Sequence, residues 1–145
     1  MSIHLVKLAV GVRDVAHLGE IQARRLERAR RRGEEPRLRH VTRNRPRRAG
    51  ELTAGGSIYW VIKGFIRVRQ GIAAFDELTD AEGRPSCALV LDKNLVRTEL
   101  MAFRPFQGWR YLADEKAPPD ARTSGDAFHG MPLDMAAELR ALGLL

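Results

Sequence analysis

The sequence has 145 residues, of which 44% are hydrophobic, and its formal net charge is +7. Its single cysteine, Cys87, excludes an intramolecular disulfide and a structural zinc site made of thiolates, which favours a reducing compartment. No apolar run approaches the roughly 20 residues that span a bilayer and the first residues lack the pattern of a signal peptide, so we expect a cytoplasmic protein of one domain, residues 1–145, without a membrane partner.

The first third of the chain predicts a strand, a helix and a second strand. Residues 3–10 are apolar on both alternating faces except at two positions, as expected of a strand that is covered on both sides. Asp14 can cap a helix whose apolar residues recur at helical spacing, and this helix should end at about Arg32. A short strand is predicted at residues 38–42, inside a basic connection.

In the middle of the chain, the spacing of the core-facing residues changes to every second residue. A short helical turn is expected after Pro46, and the segment that follows it alternates as a strand does. We assign Ile58, Trp60 and Ile62 to a core face.

Gly64 interrupts this alternation and predicts a bulge or a bend. Beyond it, the pattern predicts that Arg67 and Arg69 point away from the core. Residues 79–86 contain Asp, Gly and Pro between two strand-like runs, which indicates a hairpin loop.

The last third holds further strands and an irregular segment. Residues 114–132 contain three of the seven prolines, and Asp134 can cap a final helix that should pack on the sheet. With four to six strands in all, the predicted class is α+β: a curled, mainly antiparallel sheet or a small barrel, flanked by an N-terminal and a C-terminal helix.

Positive charge is concentrated in residues 24–48, which carry 12 arginines against three glutamates, a local charge of +9. A segment of this kind suits a polyanion such as RNA. A solvated helix face and contact with a protein partner are the alternative explanations. The candidate phosphate contacts are Arg24, Arg28, Arg31, Arg39, Arg43, Arg45, Arg47 and Arg48.

Aromatic residues beside cations provide candidate base contacts. Tyr59 and Trp109 are of the types that stack on unpaired bases, although an aromatic side chain in an alternating strand can equally belong to the core. Arg67, Arg69 and Arg110 are close to them in sequence. These five residues are the ones we expect nearest to a base.

No set of residues specifies a reaction. Residues 49–57 have the glycine and serine spacing of a phosphate-binding loop, but Gly56 stands where a lysine is required and a strand follows instead of a helix. Cys87 lies in an apolar run, where a thiol is usually inert, and the histidines lack metal-ligand spacing. We expect no catalytic residue, no metal and no cofactor, while an unseen enzymatic activity stays open.

Four blocks of the sequence carry a family resemblance: RHVTRNRPRRAGEL, GGSIYWVIKGFIRVRQGI, CALVLDKNLVRTE and RPFQGWRYL. They resemble a bacterial family catalogued as a domain of unknown function (family 1489), from His4 to Leu145, which implies no established activity. The IKGFIRVR run also resembles the small PUA-like barrels, of the pseudouridine-synthase-associated and activating-signal-cointegrator-homology type, which bind RNA or modified bases. This second resemblance implies a barrel with Lys63, Arg67 and Arg69 on its rim.

The prediction is a non-catalytic RNA-binding protein. One alternative is an adaptor or a subunit of a larger assembly, which would dock through the apolar residues 142–145 or through the arginine-rich helix. Another is an enzyme or a binding protein for a nucleotide-like anionic ligand.

Overall fold

The computed structural model describes residues 3–42, 45–104 and 108–121. The predicted C-terminal helix from Asp134, the greater part of the predicted irregular segment, and Arg43 lie outside these residues. Neither helix in the described part of the chain has the length and apolarity needed to cross a membrane.

The described chain forms one six-stranded sheet with two helices. The elements in chain order are β1 (Ile3–Leu8), α1 (Val15–Arg31), β2 (Leu38–Thr42), α2 (Ala49–Thr53), β3 (Ser57–Ile62), β4 (Phe65–Thr79), β5 (Pro85–Ala102), β6 (Trp109–Ala113) and a 3-10 helix (Asp114–Lys116). The strand order is β2-β5-β4-β3-β1-β6; β1 and β3 are parallel and the other four neighbouring pairs are antiparallel. The α+β class with a mainly antiparallel sheet is confirmed, and this sheet is open, with β2 and β6 at its edges.

Helix α1 begins where its sequence predicts. The Asp14 carboxylate accepts a hydrogen bond of 2.7 Å from the backbone N–H of His17, which satisfies a donor that the helix itself leaves unpaired. Val15, Leu18 and Gln22 are the buried residues of the helix. They fix which side of α1 meets the sheet.

Strands β3 and β4 form a hairpin, as the alternating pattern predicts. Lys63 (φ 49°) and Gly64 (φ 82°) make the two-residue turn with positive φ values. This conformation matches the twist of the flanking strands and is least costly for glycine. Gly64 is therefore the bend of the hairpin.

The bulge of the hairpin lies at Arg67. Val68 is paired with Trp60 and Ile66 with Val61, so no residue of β3 stands opposite Arg67. A bulge re-aims its extra side chain, and Arg67 is only 1% exposed, with its Nε donating to a backbone carbonyl of β3 at 2.7 Å. The prediction that Arg67 points away from the core is wrong.

Both faces of the sheet bury apolar side chains. The face under α1, here called the α1 face, carries Ile58, Trp60 and Ile62, which confirms their assignment to the core. The opposite face carries Tyr59 and Val61 in a separate buried cluster. The alternation of β3 thus sorts its side chains between two cores.

The sheet curls strongly towards β2. This strand is four places from β1 in the sheet order, yet residues of both strands line a single cavity. The ring of His40, on β2, lies 5.4 Å from the ring of Trp60, on β3, at an angle of 84°. The curl therefore brings the strand of the basic segment back over the α1 face.

Candidate functional site

Four of the eight predicted phosphate contacts are held by carboxylates. The pairs are Arg31 with Glu27 (3.3 Å), Arg39 with Asp76 (3.1 Å), Arg45 with Glu77 (3.4 Å) and Arg48 with Glu51 (2.8 Å between Nη2 and Oε1). The hydrogen bonds between Arg48 and Glu51 raise the pKa of the arginine and lower the pKa of the glutamate. Exposed pairs of this kind contribute little stability, but they reduce the charge that these arginines offer to a polyanion.

One side of α1 carries arginines without such partners. Arg24, Arg25, Arg28 and Arg32 are exposed, and no described carboxylate lies within ion-pair distance of them. At 3.6 residues per turn, the last three of these continue the line of Ile21 along the helix. We call these four arginines the α1 flank.

A cavity of about 260 Å³ lies between α1 and the sheet. Ile21 and Arg25 line it from the helix, Lys7 from β1 and Arg39 from β2, and Trp60 contributes from β3. Lysine and arginine are the only charged residues among its described lining residues. We call this cavity the α1 cleft.

His40 is the polar group of the α1 cleft that lacks a partner. Its Nε2 is buried and has no hydrogen-bond partner among the described residues. Burial, followed by the positive charges of Lys7 and Arg25, lowers the pKa of His40 from 6.5 to about 4. The imidazole is therefore neutral at pH 7, and its buried Nε2 is a donor or an acceptor according to the tautomer.

Lys7 stands between two tryptophans. It is in register with Trp60 on β3 and with Trp109 on β6, and side chains opposed in this way are about 5 Å apart. Trp109 in turn meets Tyr111 edge-on, with ring centroids 5.0 Å apart, and the guanidinium of Arg48 lies 5.7 Å from the Tyr111 ring. An aromatic and cationic surface thus extends from the α1 cleft to the edge strand β6.

A buried amide network holds the wall of the α1 cleft. Gln22 on α1 and Gln70 on β4 exchange two side-chain hydrogen bonds of 2.9 Å. The indole Nε1 of Trp60 donates to the same Gln70 oxygen at 3.2 Å. The network fixes the orientation of Trp60 and ties α1 to the sheet.

The remaining predicted base contacts lie on the other face of the sheet. Tyr59 is buried, which raises the pKa of its hydroxyl, and Arg110 is in register with Val6 on that face. Arg69 makes two hydrogen bonds of 2.7 and 2.9 Å to Asp120, which lower the pKa of that carboxyl. The structure therefore separates Trp109 from Tyr59, Arg69 and Arg110.

Two other predicted contacts, Lys63 and Arg47, are exposed. Lys63 occupies the turn of the β3–β4 hairpin, and Arg47 lies just before α2. Neither has an ion-pair partner in the part of the chain that the structure describes.

The described residues offer no nucleophile with a base. Both ring nitrogens of His4 are engaged, Nε2 with Asp114 at 2.7 Å and Nδ1 as acceptor from the backbone N–H of Ser57 at 2.9 Å. Cys87 is buried, which raises its pKa. In the described ranges no group of three His, Cys, Asp or Glu residues could hold a metal ion.

Gly56 has a structural role instead of a phosphate-binding one. A Cβ atom at this position would collide with the backbone oxygens of Leu52 and Ile3. Its close approach to both backbones explains the glycine at the end of the loop-like motif.

Sequence reasoning left four residues of the α1 cleft out of the predicted site: Lys7, Arg25, His40 and Trp60. Lys7 lies in phase with the core residue Leu5 along β1, so a charged residue at an inward position was the available signal. Arg25 follows Gln22 and Ile21 at helical spacing, on the border of the buried stripe. Trp60 was assigned to the core, which is correct, and its contribution to a cavity depends on the curl of the sheet.

The chain matches the model of a family described as "Protein of unknown function (DUF1489)" over residues 5–145. It belongs to that family, as its sequence blocks predict. No curated protein and no solved structure matches it. The likeness to small PUA-like barrels stays a prediction.

Proposed function

We propose that the protein binds RNA, without catalysing a reaction, through the α1 flank and the adjoining α1 cleft. The observation that carries this proposal is the unequal distribution of ion pairs. Arg31, Arg39, Arg45 and Arg48 are held by carboxylates, whereas the α1 flank is exposed and meets none in the described chain. Phosphate groups are the anions that such a row of guanidinium groups recognises well.

The geometry supports a single strand better than a duplex. The flank follows one side of a helix towards the α1 cleft, and Lys7 and Trp109 extend the surface across β1 and β6. Cations that track a backbone beside aromatic rings are the combination used for single-stranded nucleic acid. A cytoplasmic location forms part of the proposal, supported by the single buried cysteine.

The test compares two triple variants with the same change in net charge. The flank variant carries Arg24→Gln, Arg28→Gln and Arg32→Gln. The control carries Arg30→Gln, Arg31→Gln and Arg84→Gln, whose arginines are paired with Glu27 or Glu82. Binding to a fluorescent single-stranded RNA of mixed sequence is measured by anisotropy over a range of salt concentrations, and circular dichroism verifies the fold.

We expect the flank variant to bind more weakly and to reduce the log–log salt slope by about 2, since each contact with a single strand contributes about 0.7. The control should keep most of the wild-type slope. An equal loss in both variants, or no binding by the wild-type protein, would contradict the proposal.

A further inference from the structure

The lining of the α1 cleft defines the chemistry of a ligand. Leu18, Ile21 and Leu38 give apolar walls beside Trp60, so part of the ligand must be apolar or aromatic. The cationic lining residues call for an anionic group, and the absence of a carboxylate from the described lining argues against a metal ion or a cationic ligand. The ligand therefore joins an apolar body to an anion.

The volume of the α1 cleft limits the size of the apolar part of the ligand. Small-molecule sites generally occupy about 300–1,000 Å³, and the α1 cleft measures about 260 Å³. It has space for one ring system. Its exposed lining residues, Val10, Arg25 and Arg39, show that the cleft communicates with the surface, so a charged substituent can remain at the mouth.

His40 adds a requirement for hydrogen bonding. A buried polar atom without a partner costs about 1–3 kcal/mol, and native proteins generally satisfy such atoms with a protein group or an ordered water molecule. His40 lines the α1 cleft together with Gln22 and the apolar and cationic residues, and its Nε2 has almost no accessible surface, so a ligand reaches this atom only when the neighbouring side chains shift. A heterocycle with nitrogen and oxygen atoms on its edge supplies the missing partner, whereas a hydrocarbon chain does not.

The geometry points to the α1 cleft as a nucleotide site, in which one nucleobase enters beside Trp60 and hydrogen-bonds to His40 while its phosphate contacts Lys7 and Arg25. A free mononucleotide and a single unstacked nucleotide of an RNA strand share this chemistry. The RNA source rests on the proposed function, because the α1 flank would hold the neighbouring phosphates of the strand.

The experiment follows the indole N–H resonances of the two tryptophans in ¹H–¹⁵N NMR spectra of the whole protein. A Trp109→Phe variant assigns the Trp60 resonance. The probes are the four ribonucleoside 5′-monophosphates, ribose 5-phosphate, inorganic phosphate and a short single-stranded RNA. We expect at least one mononucleotide to shift the Trp60 resonance saturably, and ribose 5-phosphate and phosphate to leave it in place.

Two variants test the contacts. Arg25→Gln changes an exposed side chain and should weaken mononucleotide binding about tenfold, which corresponds to 1.4 kcal/mol. His40→Phe should weaken the binding of the mononucleotide that shifts the Trp60 resonance of the wild-type protein. If His40→Phe fails to fold, the Arg25→Gln result decides, and an unchanged affinity would overturn the inference.

The outcomes separate the inference from the proposed function. If RNA binds through the α1 flank while neither the mononucleotides nor the RNA shift Trp60, the nucleotide site is refuted and the RNA proposal stands. If a mononucleotide shifts Trp60 while the flank variant binds RNA like the wild type, the site stands and the RNA proposal fails. A response of Trp60 to inorganic phosphate equal to its response to nucleotides would also overturn the nucleotide site.

Discussion

On the face of the sheet away from α1, His4 and Arg69 are each paired with a carboxylate. His4 donates or accepts at both ring nitrogens, one of them with Asp114, and its ring meets Tyr59 edge-on at 5.1 Å. Arg69 is held by Asp120. His4 and Arg69 are thus each paired within the chain, and the stability of the fold explains these contacts.

On the α1 face, His40, Lys7 and Arg25 meet no described carboxylate, whereas Arg39 of the same cleft is paired with Asp76. His40 lies edge-on to Trp60, as His4 does to Tyr59, but its Nε2 has no partner and its neighbours Lys7 and Arg25 are cations. Similar residue types are therefore structural on one face and available for binding on the other. What distinguishes them is whether their hydrogen bonds and charges are satisfied within the chain.

The largest effect is expected for a buried side chain whose hydrogen bond is made within the chain. Arg67→Ala should lower the free energy of unfolding by roughly 3 kcal/mol, because it removes a buried, charge-assisted hydrogen bond and the packing of Arg67 with Phe65. Chemical denaturation measures this change in the free energy of unfolding. Arg69→Ala makes the same charge change at a more exposed ion pair and should cost only about 1 kcal/mol. Equal costs for the two variants would refute the different roles assigned to these neighbours.

The next effect is the pH dependence that His40 gives to the stability of the fold. The lowered pKa of His40, 6.5 to about 4, means that the unfolded chain binds a proton more readily than the folded chain. Its contribution to stability is therefore full above pH 6.5 and falls as the pH drops towards 4, by roughly 2 kcal/mol at pH 5. His40→Phe should remove this part of the pH dependence of unfolding, and an unchanged slope between pH 6.5 and 4 would contradict the burial of a neutral imidazole.

A smaller effect than those of Arg67 and His40 is expected at His4. His4→Phe leaves the buried N–H of Ser57 without its acceptor and should cost about 1.5 kcal/mol at pH 7. RNA binding should stay at the wild-type level, since His4 lies on the face away from the α1 cleft. Thermal unfolding and RNA anisotropy of the same sample measure both quantities, and a loss of RNA binding in a folded variant would count against the division of the two faces.

Local signals in the sequence predicted the elements well. Asp14 as the helix cap, the strand at residues 38–42 and the turn at Gly64 depend on residues close together in the chain, and all are confirmed. Such features need no knowledge of the partner strands. Lys7 is the part of the candidate site that the same reasoning could have found, from its inward phase in β1.

The positions of the other candidate site residues depend on strand register and on the curl of the sheet, and neither can be read from local sequence patterns. Arg67 is buried because β4 gains one residue relative to β3, and a one-residue shift reverses the side to which a chain points. Trp109 and Arg110 fall on opposite faces because side chains alternate along a strand, and the register between β6 and β1 decides which of the two lies on the α1 face. The partners of Arg39 and Arg45 come from β4, far along the chain, so the loss of their free charge was not predictable from the basic segment.

The proposed function requires that RNA contacts the α1 face, and mapping of ultraviolet cross-links tests this contact most directly. A single-stranded RNA containing photoreactive uridine is irradiated with the wild-type protein, and the cross-linked peptides are identified by mass spectrometry. We expect fragmentation of these peptides to locate cross-links at Lys7, at Trp60 or in the α1 flank, and to distinguish Trp60 from its neighbour Tyr59. Cross-links confined to Tyr59, Arg69 or Arg110, on the opposite face, would contradict the account.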